Sequence, residues 1–301
     1  MKQYDNLESA IFALIQNRNT RELYNQELFI ALLSDYAPNL LAEQKVFRRF
    51  VRENGFSPFL DGILHNREIH EVLLGASEAI LKSSEALDDA SFLFGIIVSL
   101  ALELNPRLSE KLLADSIYEI GMNYYRKVPK ERYIPIALAM LDYAGKHGKQ
   151  ESYLYIAKSY IKGKEINQDV EKGLHYLQLA SDNGCMRATL ELAEILYKGE
   201  LSTKDNMKAV KLLSSLDDSN AYFMLAEIYK DERENNKAFD CYLKAAEKGH
   251  VYAQYTIALA YATGQGVKRS IGDAKRWLHS AASLGHSEAR KKLEELGEKW
   301  V

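Results

Sequence analysis

Seven histidines are the first place to look for chemistry, and one pair comes close to a metal motif: His65-Asn66-Arg67-Glu68-Ile69-His70. Two imidazoles grip one ion from a single helix when they lie four residues apart. Here the separation is five, and Asn66 between them reads as a helix start, so the pair implies no metal centre. His250 and His286 each follow a glycine and read as turn residues that cap carbonyls at a helix end. Gly264-Gln265-Gly266 lacks the preceding strand and third glycine of a phosphate cradle, and reads as a turn between helices. Lys172, Lys208 and Lys237 recur at matching places and read as structural. Nothing places a nucleophile beside a base. The expectation is no enzyme, no metal and no cofactor.

The aromatic residues are more informative. The chain has 19 tyrosines against 10 phenylalanines. Tyr160, Tyr229 and Tyr261 fall on a regular core register, whereas Tyr153, Tyr155, Tyr222 and Tyr252 lie off it, near the starts of helices. Tyrosine offers a large ring and a polar tip at low entropic cost, which suits an interface. Tyr118, Tyr153, Tyr222, Tyr252 and Gln254 are therefore the candidate partner-binding residues. The competing reading is that these rings wedge between adjacent helical pairs.

The elements that carry them repeat. Ser116, Ser152, Ala188, Ala221, Ala253 and Ala289 stand 32–36 residues apart by subtraction. Four residues after the first five come Ile120-Gly121, Ile156-Ala157, Leu192-Ala193, Leu225-Ala226 and Ile257-Ala258. A second helix follows each, marked by Ala137, Gly173, Ala209, Ala238 and Ala274. Small residues at fixed places let two helices approach closely, and apolar residues at three- and four-residue spacing form one face. The pattern A-x-x-x-L-G-x-x-Y-x-x-G-x-G-V…K-A-x-x-W-Y-x-x-A-A-x-x-G, best copied in Ala253–Gly285, resembles the Sel1-like repeat, a relative of the tetratricopeptide repeat. The likeness covers residues 109–301. The fourth copy lacks the Gly-x-Gly turn, and the first has Pro129 and Pro135 in its loop. The resemblance implies an all-α right-handed superhelical solenoid of hairpins. Some secreted members staple each repeat with a disulfide; Cys185 and Cys241 occupy non-equivalent positions and read as free thiols.

Residues 1–108 do not follow the repeat. Leu7, Ile11, Leu14 and Ile15 mark a first helix. Thr20 reads as the cap of a second, Pro38 as the first turn of a third, Ser57-Pro58 as the opening of a fourth and Asn66 as the cap of a fifth. A sixth, Phe92–Leu104, is apolar nearly all round and so buried on most sides. Leu32–Pro38 and Arg48–Val51 resemble a small helical module at the front of some bacterial multidomain proteins; otherwise residues 1–108 read as an elaborate cap on the first repeat. A polar helix from Glu288, with Leu293 and Leu296 inward, closes the other end.

Composition sets limits on function. With 47% hydrophobic and 27% charged residues the chain can build a continuous core. A net charge of −3 gives no basic field for nucleic acid or anionic membrane. The longest apolar run, Phe92–Leu102, is too short to span a bilayer, and no secretion signal is visible, so a cytoplasmic protein is expected. The expected function is an adaptor or scaffold, monomeric or weakly self-associating, that holds a protein or peptide along the concave face of its first helices. The alternatives are an inhibitor or immunity-type protein that blocks a toxin, and a small-molecule-binding or enzymatic protein with its site where residues 1–108 meet the repeats.

Overall fold

The structure, a computed structural model, describes residues 6–17, 23–53, 55–83, 87–127 and 130–297. All its regular elements are helices. They are α1 (Leu7–Asn17), α2 (Gln26–Tyr36), α3 (Leu41–Arg52), α4 (Phe56–Leu64), α5 (Ile69–Ser83), α6 (Leu87–Leu104), α7 (Glu110–Arg126), α8 (Lys130–Lys146) and α9 (Glu151–Lys162). Then follow α10 (Val170–Asp182), α11 (Met186–Lys198), α12 (Asn206–Ser214), α13 (Ser219–Asp231), α14 (Asn235–Glu247), α15 (Val251–Thr263), α16 (Ile271–Ser283) and α17 (Ser287–Glu295). Helices packed in consecutive pairs make this an all-α solenoid of repeat hairpins preceded by other helices. Packing groups the chain into two compact units, residues 1–176 and 177–301.

In the first unit, three fully buried rings hold α2, α3 and α4 together. The Phe29 and Phe56 centroids lie 4.6 Å apart, and those of Phe47 and Phe56 5.5 Å. The core runs without a break from these residues through Leu93 and Ile97 of α6 to Ile117 and Ile120 of α7 and Met140 and Ala144 of α8. The change in sequence pattern at residue 108 is thus not a gap in packing. The first repeat buries its apolar face on α6, as a terminal hairpin must bury it on something.

Several helix boundaries differ from the sequence reading. Asn25 caps α2, its side chain accepting from the Leu28 amide at 3.1 Å, while Thr20 lies outside the described residues. Pro38 sits in the turn before α3. Asn66 is not a cap; it takes φ 52°, the left-handed region that asparagine tolerates better than most residues. Pro135 lies inside α8 rather than in a loop, and Pro129 lies outside the described residues. So near the helix start, proline breaks into only one preceding turn.

In the second unit two hairpins close in the same way. The Ser270 amide donates to the Tyr261 carbonyl at 2.9 Å, and the Ser270 hydroxyl caps α16 by accepting from the Asp273 amide. Asp205 does both jobs between α11 and α12. Left-handed Gly264, at φ 81°, makes the turn possible. In the α13–α14 hairpin, which lacks that glycine, Arg233 takes the left-handed backbone at φ 61°. Ala221, Ala253, Ala258 and Ala289 have no exposed surface, so helices meet at their Cβ atoms. On α17, Leu293 is buried, but Leu296 falls beyond the helix end and is 39% exposed, against expectation. Cys185 and Cys241 are free thiols. No described helix is long and apolar enough to cross a membrane.

Two outcomes follow from these close contacts and turns. Ala258→Leu forces extra methylenes into a closed contact and is expected to lower stability by about 1–3 kcal/mol, read as a shift in urea midpoint. Arg233→Gly relieves a left-handed non-glycine and is expected to raise stability by about 1 kcal/mol, read the same way.

Candidate interaction surface

The repeat register sorts the five candidate residues by what they touch. At four places the side chain one residue after a buried anchor reaches back eight positions to the last turn of the preceding helix. Gln254 Nε2 donates to the Ala246 carbonyl at 3.1 Å. The hydroxyls of Thr189 and Ser181 lie 2.9 Å apart. Arg290 donates to the Ala282 carbonyl at 3.3 Å. Tyr153 does the same by shape: a Cβ on Gly145 would lie 2.5 Å from its ring. Tyr153 and Gln254 are each 4% exposed. They tie one hairpin to the next, the wedge role that competed with partner binding in the sequence reading.

Tyr222 occupies the same register but turns to polar neighbours. Its hydroxyl donates to Asp217 Oδ1 at 3.2 Å, and Lys244 Nζ lies 5.5 Å from its ring centroid. Asp217 also pairs with Lys248 at 2.9 Å, and these donors hold its carboxyl below the usual range. In the first unit, Tyr118 is half-buried under Lys149, whose Nζ lies 5.7 Å from the ring centroid. Burial pushes its hydroxyl pKa up, with the neighbouring Tyr155 and Glu151 adding to the effect.

Tyr252 is different. It precedes its anchor by one residue, and 65% of it is exposed. The equivalent residues are Asp115, Glu151, Arg187, Asn220 and Glu288, all polar; Asp115 is half-buried and the other four are exposed. Around it stands a line of rings the sequence reading did not assemble. Phe223 stacks on His250 at 4.2 Å and Tyr255 on His286 at 4.4 Å, while Tyr252 meets His286 edge-on at 5.3 Å. Matching positions of His250 and His286 were the available signal, but their role was misassigned. Each imidazole caps the helix that follows, not the one before: Nδ1 accepts from the Ala253 amide at 3.2 Å and from the Ala289 amide at 3.3 Å. The carbonyls of the preceding helix are met by the histidines' own backbone amides, which donate to Ala245 and Ala281.

The other histidine pair does not converge. His65 Nδ1 lies 3.0 Å from Asp61, and His70 faces Glu119 at 3.9 Å. The surface offers aromatic faces and fixed hydrogen-bonding groups, which suit recognition.

Comparison with known proteins agrees with the repeat fold. The Sel1 repeat family matches residues 150–185, 187–215, 219–250 and 251–286. The chitin synthase regulator SKT5 of Saccharomyces cerevisiae is 25% identical over 191 residues, covering 62% of this chain and 23% of the regulator's own length. A Sel1 repeat protein from Oxalobacter formigenes superposes with a TM-score of 0.52 at 19% identity, covering 70% of this chain and 89% of that one. A protective antigen of uropathogenic Escherichia coli with an SLR fold gives 0.51 at 18% identity, covering 97% and 67%. At these identities the two structures speak for the fold alone.

The capping histidine makes stability depend on pH. Burial pushes the His250 imidazole below the ordinary histidine range, and the Asp218 carboxylate works against it. The folded state therefore takes up this proton less readily than the unfolded chain. Its contribution is full above about pH 6.5 and is lost as pH falls through that value toward the depressed folded pKa. Urea unfolding across this range is expected to show the loss. His250→Asn, which keeps a capping acceptor without titrating, is expected to flatten the profile.

Proposed function

Because residues 150–286 are a run of Sel1 repeats, this chain is a Sel1-repeat protein, and we propose that it acts as a protein–protein adaptor whose partner docks on the first-helix face, anchored by Tyr252. Sel1-repeat proteins are generally interaction scaffolds. One relative, SKT5, is a regulator of chitin synthase.

The observation that carries the reading is the exposed ring of Tyr252 at a position where the other copies of the register present Asp, Glu, Arg, Asn and Glu. Leaving an aromatic in water there gains nothing for the fold, and the flanking His250 and His286 rings hold it in place. A rigid aromatic with a polar tip is the residue type that carries most binding energy at protein interfaces. Tyr222, set against Asp217 and Lys244, offers a second contact within residues 177–301, and Tyr118 one in the first unit. Tyr153 and Gln254 are spent on packing and take no part.

The test compares two truncations. A partner captured by the wild-type chain is titrated against Tyr252→Ala and Tyr153→Ala. Tyr252→Ala is expected to lose about 2 kcal/mol or more of binding with an unchanged melting temperature. Tyr153→Ala is expected to lower the melting temperature, with affinity falling only as the folded fraction falls. Wild-type affinity in Tyr252→Ala removes this tyrosine as the anchor.

A further inference from the structure

A cavity of about 220 Å³ opens in the second unit between α14, α15 and the turn that follows α15. A cavity of about 150 Å³ already takes a benzene ring, so this one suits a single aromatic or branched aliphatic side chain. We propose that it receives one such side chain from an acidic segment of a partner protein. The proposal deepens the adaptor reading and rests on its partner face, since Thr256 and Leu259 of the cavity stand four and seven residues beyond Tyr252 on the same side of α15.

The lining is mostly apolar. Ala238 and Ile257 are buried, and Phe239, Leu259 and Ala260 are half-buried around the cavity. Tyr242 also lines it, but its hydroxyl donates to Glu227 Oε1, while Glu227 Oε2 lies 3.4 Å from Lys230 Nζ. Among the described lining residues only Lys230 is charged. A charged side chain entering here would lose its water and find no unpaired partner, whereas an apolar one gains by leaving water. The helix beside the cavity is unusual in the same sense. No residue of α15 is charged, while α9, α11 and α13 each carry at least three charged residues. A helix that is apolar all round belongs in a core, yet 65% of Tyr252 is exposed and Thr256 and Leu259 are only half-buried.

Charge comes from the neighbouring turn. Gln265 and Gly266 bring residues 264–270 to the cavity. This turn holds Lys268 and Arg269 and no carboxylate. The two equivalent turns each set one lysine against two carboxylates: Lys164 against Glu165 and Asp169, and Lys204 against Glu200 and Asp205. Lys268 and Arg269 are exposed, and neither pairs with a carboxylate among the described residues. A partner with Asp or Glu beside its apolar residue therefore meets uncompensated positive charge, and a basic partner is repelled. The helix also sets a spacing. Thr256 and Leu259 lie about 6–10 Å from Tyr252 along the axis, a distance that an extended chain covers in about two or three residues.

The probe is a phage-displayed library of random dodecapeptides, selected on the full chain at low salt, with the enriched peptides then synthesised and titrated. Enriched sequences are expected to hold one Phe, Leu, Ile or Met with Asp or Glu within about three residues. Ala260→Phe fills the cavity from a half-buried position. It is expected to weaken these peptides about tenfold or more, the loss for one large apolar side chain left in water, at a melting temperature near wild type. Exchanging the peptide's own apolar residue for Ser is expected to cost the same factor on the unaltered protein. Lys268→Glu is expected to cost about threefold or more at low salt, an effect that fades at high salt. Loss of affinity in Tyr252→Ala as well supports the shared face. Wild-type affinity in Tyr252→Ala with loss in Ala260→Phe keeps the cavity and removes the anchor; the opposite pair of results removes the cavity and keeps the anchor. The proposal is overturned if no such sequence is enriched, or if Ala260→Phe, Lys268→Glu or the Ser peptide binds as tightly as its parent. It is also overturned if sedimentation shows a dimer that Ala260→Phe dissociates, which would seat a second copy of the chain there.

Discussion

A helical hairpin cannot bury its apolar face alone, so each must hand the chain to the next in a fixed orientation. At every hand-over that carries a closing glycine, one backbone hydrogen bond enforces it. The amide of the residue after the closing glycine donates back to the last turn: His250 to Ala245 at 2.9 Å, His286 to Ala281 at 3.0 Å, and likewise Cys185 to Ala180. The bond forms only if the residue before it turns left-handed, which Gly249 and Gly285 do at φ 86° and 94°. Everything downstream inherits this geometry. The residue after the glycine stands at the start of the next helix, the next buried anchor falls three residues on, and the residue before that anchor must point outward. Tyr252 is exposed because of a hydrogen bond five residues long that closes the helix before it.

The same constraint explains which parts of the fold could be read from the sequence. Anchors such as Ala221 and Ala253 were legible because close approach of helices admits only small side chains, and that demand recurs at every repeat. The position after the anchor was not legible. Tyr153, Thr189, Gln254 and Arg290 share a destination, the last turn of the preceding helix, but reach it by ring packing, a hydroxyl pair or an amide-to-carbonyl bond. No common residue type marks the contact, so Tyr153 and Gln254 resembled surface residues. His250 and His286 were recognised as equivalent, yet an imidazole beside a helix end looks the same in sequence whether it serves the helix before or the helix after. Only the geometry decides, and it puts Nδ1 against the following amides.

Outside the repeats, legibility fell with sequence separation. The apolar runs of α1 to α6 marked helices, but nothing in a run reveals that Phe29, Phe47 and Phe56 meet at one point. A cavity of about 320 Å³ in the first unit is the extreme case. Phe94 and Gly95 come from a helix without the repeat, while Asp142, Tyr160 and Tyr176 come from three helices that carry it. Repeat logic treats Tyr160 as core and Lys172 as structural, and each is correct locally. That cavity exists because the first hairpin packs against α6 rather than against another copy of itself, and a surface not shaped by the repeat leaves space that the repeat would have filled.

The tyrosines show how one residue type serves opposite ends in such a fold. Several in the stack give their hydroxyls to carboxylates: Tyr176 to Asp142, Tyr197 to Asp231 at 2.7 Å and Tyr242 to Glu227. Burial first, and then the neighbouring carboxylate, pushes these hydroxyls upward, Tyr197 to about 12. They remain neutral donors wherever the protein is folded near neutrality, and a bond to a charged acceptor is stronger than one between neutral groups. These hydroxyls are therefore insensitive to mild acid. His250 is not: protonation would take away its capping lone pair, and burial, by lowering its pKa, makes that proton costlier in the folded state than in the unfolded chain. Protonating His250 removes the acceptor that caps the helix carrying Tyr252, so the helix start beneath the proposed anchor weakens as pH falls.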